Sequence, residues 1–265
     1  MRKLLRRVRR RLARRKVPRP AIGRRCNLCR RDVEFNQLDV SFTEPLAEHG
    51  FPHPLSDFET MNYLEYECPR CGSSDRDRLY AMYLRRQLAD RGDEPVDVLE
   101  IAPSPVLRKF LSRKPSVRYR CADLYMPDVD DQVDITEMSV YPEARFDFVI
   151  CSHVLEHVDD DRKALAELRR ILKPGGSAIV MAPVIDKEGI FDEDPAVTDV
   201  SERWRRFGQH DHVRLYSKDV LLQRIAAAGL DIAQLGSSHF GAAKLKRHGI
   251  AEKSVLYVAT KSAGS

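Results

Sequence analysis

The loop after the first recognisable strand has no glycine. Residues 98–107, VLEIAPSPVL, read as a strand, a tight turn and the start of a helix. A nucleotide-type cofactor usually sits at such a place, against a glycine-rich turn. Other absences set wider bounds. No apolar run approaches the roughly 20 residues needed to span a bilayer. The N-terminal stretch lacks the apolar segment of about 7–15 residues that marks a secretory signal, and it is poor in serine for an organellar transit peptide. These absences predict a cytoplasmic protein. Acid is missing from residues 1–25, where 13 of the 45 Lys and Arg lie. That leaves 32 basic against 40 acidic residues in the remainder, a net charge of −8.

The chain is therefore a mildly acidic body behind an intensely basic head, residues 1–25. In residues 2–16, Leu4, Leu5, Val8 and Leu12 fall on one helical face ringed by arginines. Such a pattern suits peripheral binding to the anionic inner face of a membrane, or a grip on RNA phosphates. A solvated tail explains it equally well.

Four of the six cysteines form two pairs, Cys26-Asn-Leu-Cys29 and Cys68-Pro-Arg-Cys71. A CxxC turn aims two thiolates at one point, and two such turns complete a tetrahedral zinc site. The 38 residues between the pairs exceed the roughly 15–20 of compact zinc modules, so an inserted loop is expected there. With no export signal, a disulfide reading is weaker. Four protein ligands leave no open position, so the expected zinc is structural, in a module over residues 26–75. His49 and His53 lie within the insert as alternative ligands or surface histidines.

From residue 96 strand and helix signals alternate. Strands are expected at VDVLEIA, VRYRCADL, QVDIT, FDFVICSHVL, SAIVMAPV, DIAQLG and SVLYVAT, with helices at SPVLRKFLSR, DDDRKALAELRRILKPGG and SKDVLLQRIAAAGL. Alternation of this kind predicts an α/β protein, a parallel sheet with helices on both faces. Ligands of such sheets bind beyond the carboxyl ends of the strands. Polar residues gather there: Glu100 in strand one, Asp123 at the end of strand two, Asp134 after strand three, and Ser152 and His153 after strand four. An acid ending strand two is the type that accepts hydrogen bonds from ribose hydroxyls.

FDFVICSHVLEHVDDDRKALAELRRILKPGG, residues 146–176, resembles the fourth-strand region of class I S-adenosylmethionine-dependent methyltransferases, through HVLEHV followed by LKPGG. The resemblance covers roughly residues 96–235. RFGQHDHVRLYS, residues 206–217, is similar to a segment of a bacterial subgroup in which strand one runs into Ala-Pro instead of a glycine loop. The resemblance implies a Rossmann-like, doubly wound, seven-stranded sheet, mostly parallel with the last strand antiparallel, in a methyltransferase domain over residues 76–265. It implies S-adenosylmethionine as cofactor, held by Glu100, Ala102, Ser104, Asp123, Asp134, Ile135, Ser152 and His153. This cofactor has no phosphate, so the pyrophosphate cradle of a glycine loop is not required. Ala102 is the next smallest residue, Ser104 can cap the following helix, and Pro105 fits its first turn.

Methyl transfer from a sulfonium is an in-line displacement, and a hydroxyl acceptor needs a base. The candidates are His210, Asp211 and His212, in a stretch too polar for a core. His153, Glu156 and His157 form a second group, expected to orient the cofactor or cap structure. Trp204 and Phe207 would form a lid or simply pack. The long acidic segment at 185–204 is expected to shape substrate access. No Asn-Pro-Pro follows strand four, which disfavours exocyclic base amines, and Cys121 and Cys151 read as inert core thiols. The expected activity is O-methylation of a small molecule, glycan or glycolipid. RNA methylation and a non-catalytic zinc-stapled binding role are the alternatives.

Overall fold

The computed structural model describes residues 23–187 and 189–264. The amphipathic reading of residues 2–16 lies outside them. No helix among the described residues is long and apolar enough to cross a membrane.

The centre is a seven-stranded sheet: β1 Val96–Ile101, β2 Val117–Asp123, β3 Asp131–Gln132, β4 Phe146–Ser152, β5 Leu172–Met181, β9 Asp231–Leu235 and β10 Leu256–Thr260. Its order is β3-β2-β1-β4-β5-β10-β9, and β10 alone runs antiparallel to its neighbours. All six residues of β1 and the first six of β4 are buried, as strands covered on both faces must be. Helices α1 Asp75–Asp90 and α2 Pro105–Leu111 pack together, as do α3 Asp161–Ile171 and α5 Lys218–Ala227. The order reverses between β1 and β4. Their carboxyl ends, Ile101 and Ser152, therefore open a crevice at the switch point.

Some boundaries differ from the sequence reading. The helix ends at Ile171, just before its expected Lys-Pro-Gly-Gly stop, but β5, expected from Ser177, already begins at Leu172. Gly175 and Gly176 sit inside that strand as an irregularity against β4. A Cβ on Gly176 would lie 2.8 Å from the Lys173 carbonyl oxygen and 3.0 Å from that of Phe146, so no side chain fits. The fourth strand stops at Ser152, because His153 takes a positive φ of 57°.

A second, three-stranded sheet was not foreseen: β6 Val184–Ile185, β7 Asp192–Glu193 and β8 Arg214–Ser217, in the order β6-β8-β7. It receives the insert between the cysteine pairs. Phe58 bridges Ile185, the Glu59 N–H donates to Val184 O at 3.0 Å and the Asp186 N–H to Asp57 O at 2.9 Å. Glu59, 2% exposed, accepts from Lys218 Nζ at 2.7 Å and from the Tyr257 hydroxyl at 2.5 Å. The acidic segment after β6 is tied down as well. Asp192 and Asp194 pair with Arg206 of α4 Val200–Phe207. Glu193 pairs with Arg214 at 2.8 Å and Arg224 at 2.7 Å.

Candidate active site and cysteine cluster

A cavity of about 230 Å³ lies at the β1–β4 switch point, lined by Glu100, Ala102, Ser104, Ser152 and His153 together with Tyr66, Arg76 and Tyr80. Ala102 stands at φ 51°, a left-handed conformation that glycine would adopt without strain. The conformation of a glycine turn is thus kept without the glycine. Ser104 caps α2 through Val106 N–H and Leu107 N–H, with Pro105 next. Glu100 fixes the turn from below: Oε1 accepts from Ser104 N–H at 2.8 Å and Oε2 from the Tyr119 hydroxyl at 2.7 Å. Burial pushes its carboxyl up to about 7.

Asp123 ends β2 as expected. Its Oδ1 accepts from Tyr125 N–H at 2.7 Å and Met126 N–H at 2.8 Å, while Oδ2 makes no hydrogen bond among the described residues. The acid is thus positioned by its own turn with one oxygen to spare. Leu124, Tyr125 and Met126 follow it as exposed apolar side chains. Asp134 accepts from the Thr136 N–H and hydroxyl, both at 2.8 Å, and Ile135 is buried beside it. Neither Asp123 nor Asp134 lines the cavity itself.

A second cavity, about 220 Å³, shares Tyr66, Arg76 and His153 with the first. One side is built by the insert: Leu38, Phe42, Leu46, Leu55, Phe58 and Met61. Glu156, His157 and His212 line it too. Phe207 lines it from α4 and belongs to an apolar cluster with Phe58, Ile185 and Leu215. Gly208 ends α4 at φ 81°, with the Phe51 ring 3.1 Å from where a Cβ would be. Trp204 lies outside, stacked on His49 at 5.9 Å.

Backbone contacts build the polar wall. Arg214, fully buried, donates to the carbonyls of Leu155, Val158 and Asp159 and pairs with Glu193. Its guanidinium thus holds the turn that carries HVLEHV, where residues 155–157 form a single 3₁₀ turn. Glu156 is 1% exposed, and neither carboxylate oxygen has a hydrogen-bond partner. His153 Nδ1 lies 3.1 Å from Oε1. Burial alone would raise the Glu156 carboxyl, but His153, His212 and His157 around it hold it low, at about 2. Burial and the Arg76 charge push His153 down to about 4.

The three residues of the expected catalytic trio face different surroundings, although His210 Nδ1 stays 3.8 Å from Asp211 and the His212 ring 4.6 Å from that of His157. His212 is buried on the cavity wall, with Nδ1 3.2 Å from Phe207 O. Asp211 stands behind His157, 3.3 Å from its Nδ1, and raises that imidazole above its usual range despite burial. The His210 side chain is 59% exposed and does not line either cavity. The insert, Tyr66 and Arg76 were not foreseen as site residues. The apolar insert was visible as a long gap, but nothing local says which cavity it covers.

The four cysteines meet as expected. Cys26 and Cys71 Sγ are 3.7 Å apart, Cys29 and Cys68 Sγ 3.8 Å, and all four lie within 4.8 Å of one another. Tetrahedral bonds of about 2.3 Å separate sulfurs by roughly 3.8 Å, so the donor set fits such an ion. None of the six cysteines is in a disulfide. Cys121 and Cys151 are buried in strands, and burial raises both thiols. His49 lies elsewhere, 2.9 Å from the Ser201 hydroxyl. Behind the cluster the buried Arg78 of α1 donates to carbonyls of Glu65, Tyr66 and Ser73 on one side and of His248 and Gly249 on the other. Its guanidinium also lies 4.0 Å from the Phe35 ring centroid.

Comparison with known proteins follows the same lines. A ubiquinone biosynthesis O-methyltransferase of Alkalilimnicola ehrlichii is 27% identical over 155 residues, 56% of this chain and 58% of that protein. A probable methyltransferase, ltbC, of Aspergillus luteorubrus is 45% identical over 49 residues, 17% of each chain. The matches thus span less than two thirds of those relatives. Among solved structures, the [4+2]-cyclase SpnF aligns over 88% of this chain and 99% of its own, with a TM-score of 0.47 and 16% identity. Residues 74–235, well over half of the chain, match the model of the methyltransferase domain family, and the chain belongs to that family.

Proposed function

We propose that the protein moves the methyl group of S-adenosylmethionine to an oxygen of a small acceptor with an apolar body. The observation that carries this reading is the junction of the two cavities at Tyr66, Arg76 and His153. One is built on the cofactor side of the sheet. The other is lined mainly by aliphatic and aromatic side chains with a few polar groups, Arg76, Glu156, His157 and His212 among them, the pattern of small-molecule sites. An apolar wall favours a lipid-like or aromatic acceptor over a glycan. RNA is disfavoured, because the residues beyond the head carry net negative charge. The O-methyltransferase relative supports oxygen as the accepting atom.

In this reading Asp123 holds the ribose hydroxyls through its spare oxygen. Leu124, Tyr125 and Ile135 offer apolar surface to the base. The Ala102–Ser104 turn lies beside the amino-acid portion. Arg76 sets a positive charge at the junction, fit for a carboxylate. The bound cofactor supplies an electrophilic methyl group. His153, at the junction, takes the proton that the hydroxyl loses as its oxygen forms the new bond to carbon. Glu156 and His157 keep that wall in place, and Asp211 positions His157. The cysteine cluster reads as a structural zinc site that fixes both ends of the insert.

Incubating the purified protein with cell extract and S-adenosylmethionine bearing a deuterated methyl tests this. Mass spectrometry should find the label in a small organic-soluble product as a methyl ether or ester. Label confined to RNA or to glycans, or no label from protein that binds the cofactor, would sink the reading.

A further inference from the structure

We propose that Glu156, His157 and His212 form a second metal site, for one divalent transition-metal ion, on the wall of the acceptor cavity. The three residues bring one donor atom each to within 4.8 Å of one another. Donors about 2.0–2.2 Å from a divalent ion stand roughly 3–3.5 Å apart, so a small side-chain adjustment closes the set. Two histidines with one carboxylate is a donor set seen for catalytic zinc and for non-haem iron, and it leaves coordination positions open.

Three observations point to an ion rather than to a structural cluster. Glu156 is 1% exposed, yet neither oxygen makes a hydrogen bond: Oε2 is unpartnered and Oε1 has only His153 Nδ1 beside it, at 3.1 Å. A buried carboxylate in that condition needs positive charge beside it. Each histidine is already oriented through Nδ1: His157 lies 3.3 Å from Asp211 Oδ2, and His212 lies 3.2 Å from Phe207 O. With Nδ1 as the donor, Nε2 carries the lone pair. Metal-ligating histidines are held by carboxylates and carbonyls in this way. The group also lines a cavity instead of being sealed in the core. Its two chain segments are fixed to each other by the Val213 N–H donating to Glu156 O at 2.9 Å.

An ion here would face the acceptor with free positions. A hydroxyl bound to it loses its proton more readily, as a metal-bound water does. That role rests on the methyl-transfer reading, whereas the site itself does not.

The test uses full-length protein whose cysteine cluster is filled with zinc, titrated with cobalt(II) and followed by visible absorption. Wild type should take up one further equivalent, with ligand-field bands and no thiolate charge-transfer band. Glu156→Gln and His212→Gln should abolish that uptake while keeping the cysteine-bound zinc. Asp211→Asn, behind His157, should weaken it roughly 10–100-fold. Calorimetric binding of S-adenosylmethionine on the same samples separates the two readings and shows that each variant is folded. Wild type with intact cofactor binding and no cobalt uptake beyond the cysteine-bound zinc overturns the site. So does equal uptake by folded Glu156→Gln and His212→Gln proteins.

Discussion

Val213 and Glu156 are joined main chain to main chain, the Val213 N–H donating to the Glu156 carbonyl at 2.9 Å. One residue later, Arg214 reaches the carbonyls of Leu155, Val158 and Asp159. The two segments that bear the site's histidines are therefore a single rigid unit, although more than fifty residues of chain separate them.

Arg214→Lys should loosen that unit. Lysine cannot span several carbonyls with a planar fork, so buried acceptors lose their donors. The expected cost is about 2–4 kcal/mol in urea unfolding. A loss below about 0.5 kcal/mol would mean that the turn holds itself.

Asp123→Ala should weaken S-adenosylmethionine binding roughly 10–100-fold, since a charged hydrogen bond to a hydroxyl contributes about 1.5–3 kcal/mol. Asp134→Ala serves as a comparison at the next strand end. Titration calorimetry reads both. Unchanged affinity in the Asp123 variant removes that residue from the cofactor site.

Glu100 gives a pH signature. Its folded value, about 7, lies above the ordinary 4.5. The unfolded chain therefore ionises first, and stability falls as pH rises from 4.5 through 7. Glu100→Gln removes that loss. The variant should match wild type near pH 4.5 and exceed it by about 1–3 kcal/mol at pH 8. Thermal melts across this range check it. A stability difference that stays constant with pH would show that Glu100 is not the group responsible.

Cys68→Ser should free the insert before it affects the sheet, because ligand loss is coupled to local folding. Hydrogen exchange is expected to rise over residues 26–66 while β1 and β4 stay protected. Exchange rising equally in the sheet would mean that the cluster supports the whole fold.

The strands were legible because a two-face-covered sheet writes itself as short apolar runs, VDVLEI and FDFVICS. The four cysteines were legible from spacing alone. Helix α1 was not foreseen. Its sequence, DRDRLYAMYLRRQLAD, looks like a solvated face, yet Arg78 in it is fully buried. Its guanidinium is satisfied by carbonyls 5 to 171 residues away, which no local pattern encodes. The small sheet escaped for the same reason. Two of its strands are two residues long and are specified by partners rather than by their own composition. The site split similarly. Strand-end acids follow from topology, but His212 facing inward and His210 outward depends on how α4 ends at Gly208.

The segment between the cysteine pairs begins and ends where the four sulfurs converge, and its middle is bound to the sheet domain at Phe58, Glu59 and Thr60. Between those ends it supplies Leu38, Phe42, Leu46, Leu55, Phe58 and Met61 to one side of a cavity whose other side belongs to the sheet domain. Such a layout works as a strap pinned at both ends and again at Phe58 to Thr60. The stretch before Phe51 is the part least bound to the sheet domain, so its apolar residues can be exchanged with the least mechanical consequence for β1, β4 or the turn at Ala102. Tyr66, by contrast, also lines the cofactor-side cavity, so the end of the strap serves both cavities. Rewriting Leu38, Phe42 and Leu46 is the direct route to a changed acceptor.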